Sequence, residues 1–151
     1  MFGKLVFVGL MCVGIVSCKE KNSIKQAEID ENIITKYIED NSLDAKGTGS
    51  GLYYVIDSQG TGSQPNITSD VTVAYKGYLT DGTVFDQSDS TGAKFPLSNL
   101  IEGWKEGLPF FKEGGNGKLL IPSVLGYGPQ GSGNIPKNAV IIFDIALLKV
   151  E

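Results

Sequence analysis

The sequence predicts an α+β fold, in which a bent antiparallel sheet packs on one short α-helix. Three observations predict it. Apolar and polar residues alternate from Val71 to Lys76, the dipeptide Asp81-Gly82 separates two strand-like runs, and the chain has no strand–helix–strand rhythm. We expect about five to six strands, together with an extra helix on the N-terminal side of the sheet.

The first residues of the chain are typical of a secretory signal. Lys4 precedes an uncharged apolar run, residues 5–16, which is short for a membrane span. The next residues complete the quartet Ile15-Val16-Ser17-Cys18, which resembles the bacterial lipobox, whose cysteine is lipidated and becomes the new N-terminus. We therefore expect residues 1–17 to be a lipoprotein signal peptide and Cys18 to carry lipid. A membrane-anchoring helix, or an ordinary signal with a chance cysteine, is the alternative.

The composition argues against several classes of function. The chain has 13 Lys+Arg, 17 Asp+Glu and no histidine, with a net charge of −4. An acidic chain without a basic cluster is a poor binder of nucleic acid, and we expect no such partner. Without histidine, and with Cys18 expected to carry lipid, Ser-His-Asp and Cys-His catalysis and the usual zinc sites lack their residues. We expect neither a metal nor another cofactor.

Residues 18–50 are expected to form a tether and an amphipathic helix. Residues 19–23 are polar and indicate the start of the tether. Residues 24–41 place isoleucines, an alanine and a tyrosine at helical spacing, and the glycine-rich run at residues 47–51 ends the pattern. An isolated helix of this length is marginal in water, so it should pack on the domain or on a partner. We expect a docking helix or a spacer.

Residues 51–151 are expected to form one β-rich domain. Strands are predicted at residues 52–56, 71–76, 118–121 and 139–150. Asp81-Gly82 predicts a hairpin, because a tight primed turn needs positive φ. Residues 101–108 predict a short helix that Pro109 would end.

Two further motifs lack the spacing or the placement that their functions would require. Residues 114–118 read Gly-Gly-Asn-Gly-Lys, but the glycine that a phosphate-binding loop needs further upstream is absent, so we expect a turn. Asp86 and Asp89 are close in sequence, yet nothing places them on opposite sides of a cleft. A hydrolase with paired carboxylates is therefore not favoured.

Three sequence blocks resemble the FK-binding-protein (FKBP) family of peptidyl-prolyl cis/trans isomerases. They read VAYKGYLTDGTVFDQS at residues 73–88, LIEGWKEGL at residues 100–108, and LGYGPQGSGNIPKNAVIIFDIALLKVE at residues 125–151. The resemblance covers residues 71–151, and residues 52–56 fit the family's first strand. It implies the family's fold and a non-covalent isomerase that acts on X–Pro bonds in proline-containing polypeptides, without a cofactor.

The resemblance also implies a prolyl pocket. Trp104 matches its floor, Asp86 and Tyr127 match its polar groups, and the amide N–H of Ile101 matches a donor to the substrate carbonyl. The other matching positions are Tyr75, Phe85, Phe95, Leu100, Ile135 and Phe143. Taken singly, aromatic residues in a small β-rich domain are usually core, and Phe95 stays open between core and rim. The alternative for Asp86 is a turn-capping aspartate.

Two departures from the family pattern concern the rim of this pocket. Ala93 stands where the family often has a pocket-wall aromatic, and the loop between Leu97 and Leu100 is shorter than in the family. Both put substrate preference and affinity for macrolide inhibitors in question. They also support the alternative function, a non-catalytic peptide-binding or chaperone module on the same fold.

The resemblance and the lipobox together predict the setting of the protein. We expect a monomer attached to the membrane through lipid on Cys18, in the outer membrane and facing the periplasm. Its partners would be secreted or envelope polypeptides that contain proline.

Overall fold

The computed structural model describes residues 14–151. Residues 1–13 of the predicted signal peptide therefore lie outside the described part of the chain. Among the described residues, no helix combines the length and the hydropathy that a membrane span requires. The α-helices are α1 (Gly14–Asp40) and α2 (Glu102–Gly107), and the strands are β1 (Lys46–Gly47), β2 (Tyr53–Ser58), β3 (Asp70–Leu79), β4 (Val84–Gln87), β5 (Ala93–Pro96), β6 (Asn116–Ile121) and β7 (Ile141–Val150).

The strands form one antiparallel sheet, which confirms the predicted α+β class. Their order is β1-β2-β6-β7-β3-β4, and β5 pairs with the first half of β3, while β4 pairs with its second half. The sheet has 7 strands, more than expected, because β1 spans only 2 residues and β5 is a short neighbour of β3. The two longest strands, β3 and β7, lie side by side and place Gly77 opposite Phe143.

The turn between β3 and β4 confirms the predicted hairpin. Leu79 and Thr83 close it through a backbone N–H···O bond of 2.9 Å, and Gly82 has φ +89°. Glycine adopts this backbone conformation at no steric cost, whereas other residues rarely do. The pairing of the two strands shifts register between Gly77 and Tyr78, because β4 contains one extra residue there.

Helix α2 packs closely on one face of the sheet. A Cβ added to Gly103 would lie 2.6 Å from the side chain of Ile121, and one added to Gly107 would lie 2.6 Å from that of Leu119. The two glycines thus let the helix backbone approach β6. Trp104, between them, is held against the sheet and is 4% exposed. We call this side of the sheet the pocket face.

Helix α1 packs on the opposite face, which we call the back face. Successive residues of β6 point to alternate sides, so Leu119 and Ile121 join the pocket-face core whereas Leu120 joins the back-face core. Ile34 of α1 is fully buried there, in contact with a cluster that includes Tyr78 and Leu120. Of the alternatives that the sequence left open for this helix, the structure shows packing on the domain.

The helix is longer than the sequence predicted. We expected it at residues 24–41 and expected residues 19–23 to begin a tether, but the structure has residues 19–23 inside α1. The segment from Cys18 to Ser23 contains lysines and a glutamate, which propagate a helix well, and it has neither proline nor glycine to stop one. The helix ends where Ser42 takes φ +50° and Leu43 N–H bonds to the carbonyl of Ile38.

Candidate active site

A cavity of about 360 Å³ opens on the pocket face, between the sheet, α2 and two loops. Strands β3, β4, β5 and β7, helix α2 with the residues before it, and the loop after β6 all contribute to its wall. The lining residues are Tyr75, Asp86, Phe95, Asn99, Leu100, Ile101, Trp104, Tyr127 and Phe143. The wall is therefore mainly aromatic and aliphatic, with a few polar groups, as is usual for a site that binds a small apolar ring.

Trp104 is the centre of an aromatic cage. The centroid of its ring system lies 5.1 Å from that of Phe143, 5.4 Å from that of Tyr75 and 6.3 Å from that of Phe95, with interplanar angles of 90°, 85° and 85°. Aromatic pairs favour this edge-to-face geometry, because the positive edge of one ring meets the negative face of the other. This ring packing fixes the shape of the wall.

The indole nitrogen of Trp104 is an unusual feature of the cage. Among buried side-chain nitrogen and oxygen atoms in the described part of the chain, it alone has no hydrogen-bond partner. Such groups are normally paired in folded proteins, because an unpaired buried donor costs free energy. The cage therefore keeps Trp104 in place through ring packing rather than through a hydrogen bond.

Two tyrosines bring hydroxyl groups to the cavity. Tyr75 donates a hydrogen bond to Asp86 Oδ2 at 2.9 Å. Burial, followed by this bond, raises the pKa of Tyr75 from 10.0 to about 12. Burial also raises the pKa of Tyr127, with a smaller contribution from the negative charge of Asp86. Both hydroxyls are consequently protonated at neutral pH and able to donate.

Two donors at the cavity have no protein acceptor among the described residues. Tyr127 Oη–H makes no hydrogen bond to another described side chain or carbonyl, and neither does the backbone N–H of Ile101. Ile101 precedes the first residue of α2 in an extended conformation, and its own carbonyl accepts the N–H of Trp104 at 3.0 Å. These donors are thus available to carbonyl groups of a bound peptide.

The structure brings together most of the residues predicted for the site. Eight of the ten predicted pocket residues line the cavity, and Phe95, left open between core and rim, is one of them. The two that do not line it are Phe85 and Ile135. Phe85 packs its ring on Phe143 at 5.5 Å, over Gly77, where a Cβ would lie within 2.7 Å of both rings. Ile135 is 8% exposed and belongs to the core.

Asn99 lines the cavity although the sequence did not point to it. It ends a short 3-10 turn, Leu97–Asn99, inside the loop whose length departs from the family pattern. An exposed asparagine in a loop is common in any protein. The altered loop length was the only signal in the sequence that could have drawn attention to it.

The other positions that the sequence singled out do not line the cavity. Asp89 accepts the N–H and hydroxyl of Thr91, bonds that lower its pKa, so it caps a turn and does not face Asp86 across a cleft. Gly114 has φ +86° within a turn, but residues 116–118 of the turn expected at 114–118 belong to β6 instead. Ala93 pairs with Val73 and does not line the cavity. The described residues contain no cluster of acidic, cysteine or histidine side chains that could hold a metal ion.

Comparison with known proteins shows which family the chain resembles. A family model described as FKBP-type peptidyl-prolyl cis-trans isomerase matches residues 61–148. The chain is 48% identical over 108 residues to the FKBP-type peptidyl-prolyl cis-trans isomerase FkpA of Aeromonas hydrophila, and 50% identical over 108 residues to the probable enzyme of that name of Neisseria meningitidis serogroup B. Each match covers 70% of this chain and 40% of the relative, so the matched region is less than half of those relatives.

Two solved structures have the same fold as this chain. The crystal structure of FkpA from Escherichia coli has a TM-score of 0.74 at 37% identity, over 89% of this chain and 65% of that one. A peptidyl-prolyl cis-trans isomerase from Pseudomonas syringae pv. tomato has a TM-score of 0.74 at 28% identity, over 85% of this chain and 96% of that one. The Pseudomonas structure is thus matched over nearly its own whole length.

Proposed function

Since the chain belongs to the FKBP-type peptidyl-prolyl cis-trans isomerase family, we propose that it accelerates cis/trans isomerisation of X–Pro bonds in proline-containing polypeptides. The single observation that carries the proposal is the aromatic cavity around Trp104, which has free hydrogen-bond donors at its wall and no cysteine, serine or histidine among its lining residues. Isomerisation requires neither a nucleophile nor a cofactor, because no covalent bond is made or broken.

Desolvation is the central step of the proposed mechanism. An X–Pro bond resists rotation by roughly 18–20 kcal/mol, because the planar amide is stabilised by resonance. The twisted amide has lost this resonance and is less polar. Transfer of the bond from water to an apolar cavity therefore destabilises the planar form relative to the twisted one. Trp104, Tyr75, Leu100 and Phe143 would enclose the pyrrolidine ring.

The polar groups would hold the peptide on either side of the rotating bond. The N–H of Ile101 and the hydroxyl of Tyr127 are positioned to donate to substrate carbonyls, so that one side of the bond is fixed while the other turns. Asp86 keeps the Tyr75 ring in place through its hydrogen bond, or it acts on the twisted amide directly. Phe85 would support Phe143 from outside the cavity.

The experiment is a protease-coupled or NMR assay of isomerisation in a short proline peptide. The chain from residue 18 onward, purified with Cys18→Ser, should accelerate the reaction, and Trp104→Ala should abolish most of that acceleration. A folded wild-type chain that binds the peptide without accelerating isomerisation would favour the non-catalytic peptide-binding or chaperone module. Titration with a macrolide inhibitor of the family would then report whether the rim near Ala93 still accepts one.

We further propose that the protein is a lipoprotein that assists secreted or envelope polypeptides. The support is the sequence Ile15-Val16-Ser17-Cys18, together with a Cys18 side chain that is exposed and not in a disulfide. Attachment through lipid would place a monomer at the outer membrane, facing the periplasm. Metabolic labelling with a fatty-acid analogue should label the full chain but not its Cys18→Ser variant. Equal labelling of both would contradict the lipoprotein proposal.

A further inference from the structure

Asp30 is a buried carboxylate that the proposed mechanism leaves unused. It lies on α1, outside the residues 61–148 that the family model matches, and is only 1% exposed. Its Oδ1 accepts a hydrogen bond from Gln26 Nε2 at 2.8 Å. Its Oδ2 accepts two from Ser123, one from the backbone N–H at 2.8 Å and one from the hydroxyl at 2.6 Å. No lysine in the described chain forms an ion pair with it.

A carboxylate in this place is not needed merely to dock the helix. Burying a charge costs free energy unless hydrogen bonds compensate, and α1 already buries Ile34 completely against the back face. Bonds between a carboxylate and N–H or O–H groups are short and directional. What Asp30 adds to the docking of α1 is therefore a fixed position for the backbone of Ser123.

Ser123 begins the loop that carries Tyr127. Its carbonyl accepts the N–H of Gly126 at 3.1 Å, closing the 3-10 turn Ser123–Leu125, and Tyr127 follows directly. On the other side of Tyr127, the carbonyl of Gly128 accepts the N–H of Asn138 at 2.9 Å. Tyr127 is thus held between two backbone anchors, and the first of them is fixed by the N-terminal helix.

We propose that Asp30 is a positioning residue for the prolyl pocket. Through Ser123 it places the Tyr127 hydroxyl where a substrate carbonyl accepts its hydrogen bond. Helix α1 thereby takes part in substrate binding from the back face, although none of its residues lines the cavity. This inference rests on the proposed binding of proline peptides. Its test measures peptide affinity, which can be determined even if the X–Pro bond does not isomerise.

The only tryptophan of the chain, Trp104, provides that test. Its fluorescence reports the binding of an Ala-Leu-Pro-Phe peptide and gives Kd whether or not the bond isomerises. Asp30→Ala should raise Kd and KM about fivefold, since a lost hydrogen bond of ordinary strength has this effect. It should change kcat less than about twofold, because the carbonyl is held in the planar and twisted forms alike. Asp30→Asn, which keeps an acceptor oxygen, should restore most of the affinity.

Ile34→Ala is the matched control on the same helix. It removes buried apolar contacts of α1 but leaves the bonds to Ser123 in place. With both variants folded at the temperature of measurement, Ile34→Ala should bind the peptide like the wild type. If it raised Kd as much as Asp30→Ala does, Asp30 would act through general stability and the proposal would be overturned.

A double-mutant cycle tests the route through Tyr127. In a Tyr127→Phe background, Asp30→Ala should change Kd less than about twofold, because the hydroxyl that it positions is already absent. The same fivefold change in both backgrounds would overturn the proposed route. If the wild type binds the peptide but does not isomerise it, the enzymatic function fails while these comparisons still decide the role of Asp30. A wild type that binds no proline peptide overturns both proposals.

Discussion

The two faces of the sheet are built on different principles although they share the same strands. The back face is closed, since Ile34, Tyr37 and Ile38 of α1 pack against it. The pocket face is left partly open, since the rings around Trp104 meet edge to face and leave a cavity. Alternation along β6 and β7 assigns neighbouring residues to opposite faces. One strand can thus contribute both to stability and to a binding site.

The largest expected effect separates activity from stability. Trp104→Ala should lower kcat/KM at least about a hundredfold, because water enters the site and the proline ring loses its floor. Ile34→Ala should lower the free energy of unfolding by about 2–5 kcal/mol, as large-to-small changes in a core do. Denaturant unfolding and the peptide assay measure both quantities in both variants. If Ile34→Ala lowered kcat/KM to the same extent, the two faces would not be separable.

The next effect concerns the polar edge of the pocket face. Asp86→Ala should lower kcat/KM about tenfold, since it frees the Tyr75 ring and leaves its hydroxyl unpaired. Tyr127→Phe should cost less, about fivefold, because it removes one hydrogen bond and keeps the ring. Asp86→Asn is the control that keeps an acceptor for Tyr75 without the charge. An Asn variant as slow as the Ala variant would show that the charge of Asp86 acts on the substrate.

The smallest effect is on stability at high pH, to which tyrosines on both faces contribute. Burial and a carboxylate partner raise the pKa of Tyr75, to about 12, and also that of Tyr78, which donates to Asp144 on the back face. A raised pKa means that the folded state keeps its proton when the unfolded state has lost it. The free energy of unfolding should therefore be unaffected below pH 10 and fall as the pH rises from about 10 towards 12.

Single replacements by phenylalanine assign this loss to the two faces. Tyr75→Phe and Tyr78→Phe should each flatten the fall in stability above pH 10, as followed by denaturant unfolding at a series of pH values. If the free energy of unfolding of Tyr78→Phe still fell as steeply with pH as that of the wild type, Tyr78 would have no part in the loss of stability.

Local patterns predicted the long strands and the hairpin of the sheet, whereas the wall of the cavity was predicted through the resemblance to the FKBP family. Asp81-Gly82 predicted the hairpin because few dipeptides adopt its backbone angles easily. The aromatic residues could be assigned to a pocket only because their spacing matches the FKBP family, since each alone is as compatible with a core. The spacing of the three blocks therefore carried more information than any individual residue.

The sequence could not predict features that depend on register or on distant contacts. Val84 pairs with Tyr78 and Asp86 with Gly77, so Phe85 is the extra residue of a bulge and packs beside the cavity. Asp30 is an acidic residue in an amphipathic helix, a kind of residue that usually faces solvent. Its partner Ser123 is 93 positions away in sequence, and only the docking of α1 brings the two together.

Because α1 is continuous from Gly14 to Asp40, it also sets the distance between Cys18 and the folded domain. A helix rises about 1.5 Å per residue, so the backbone of Cys18 lies about 18 Å along the axis from Asp30, the point at which the helix is fixed to the domain. A flexible linker of the same length would let the domain change its distance and orientation relative to Cys18. If Cys18 is held at a bilayer, the rod fixes the distance between the point of attachment and the mouth of the cavity.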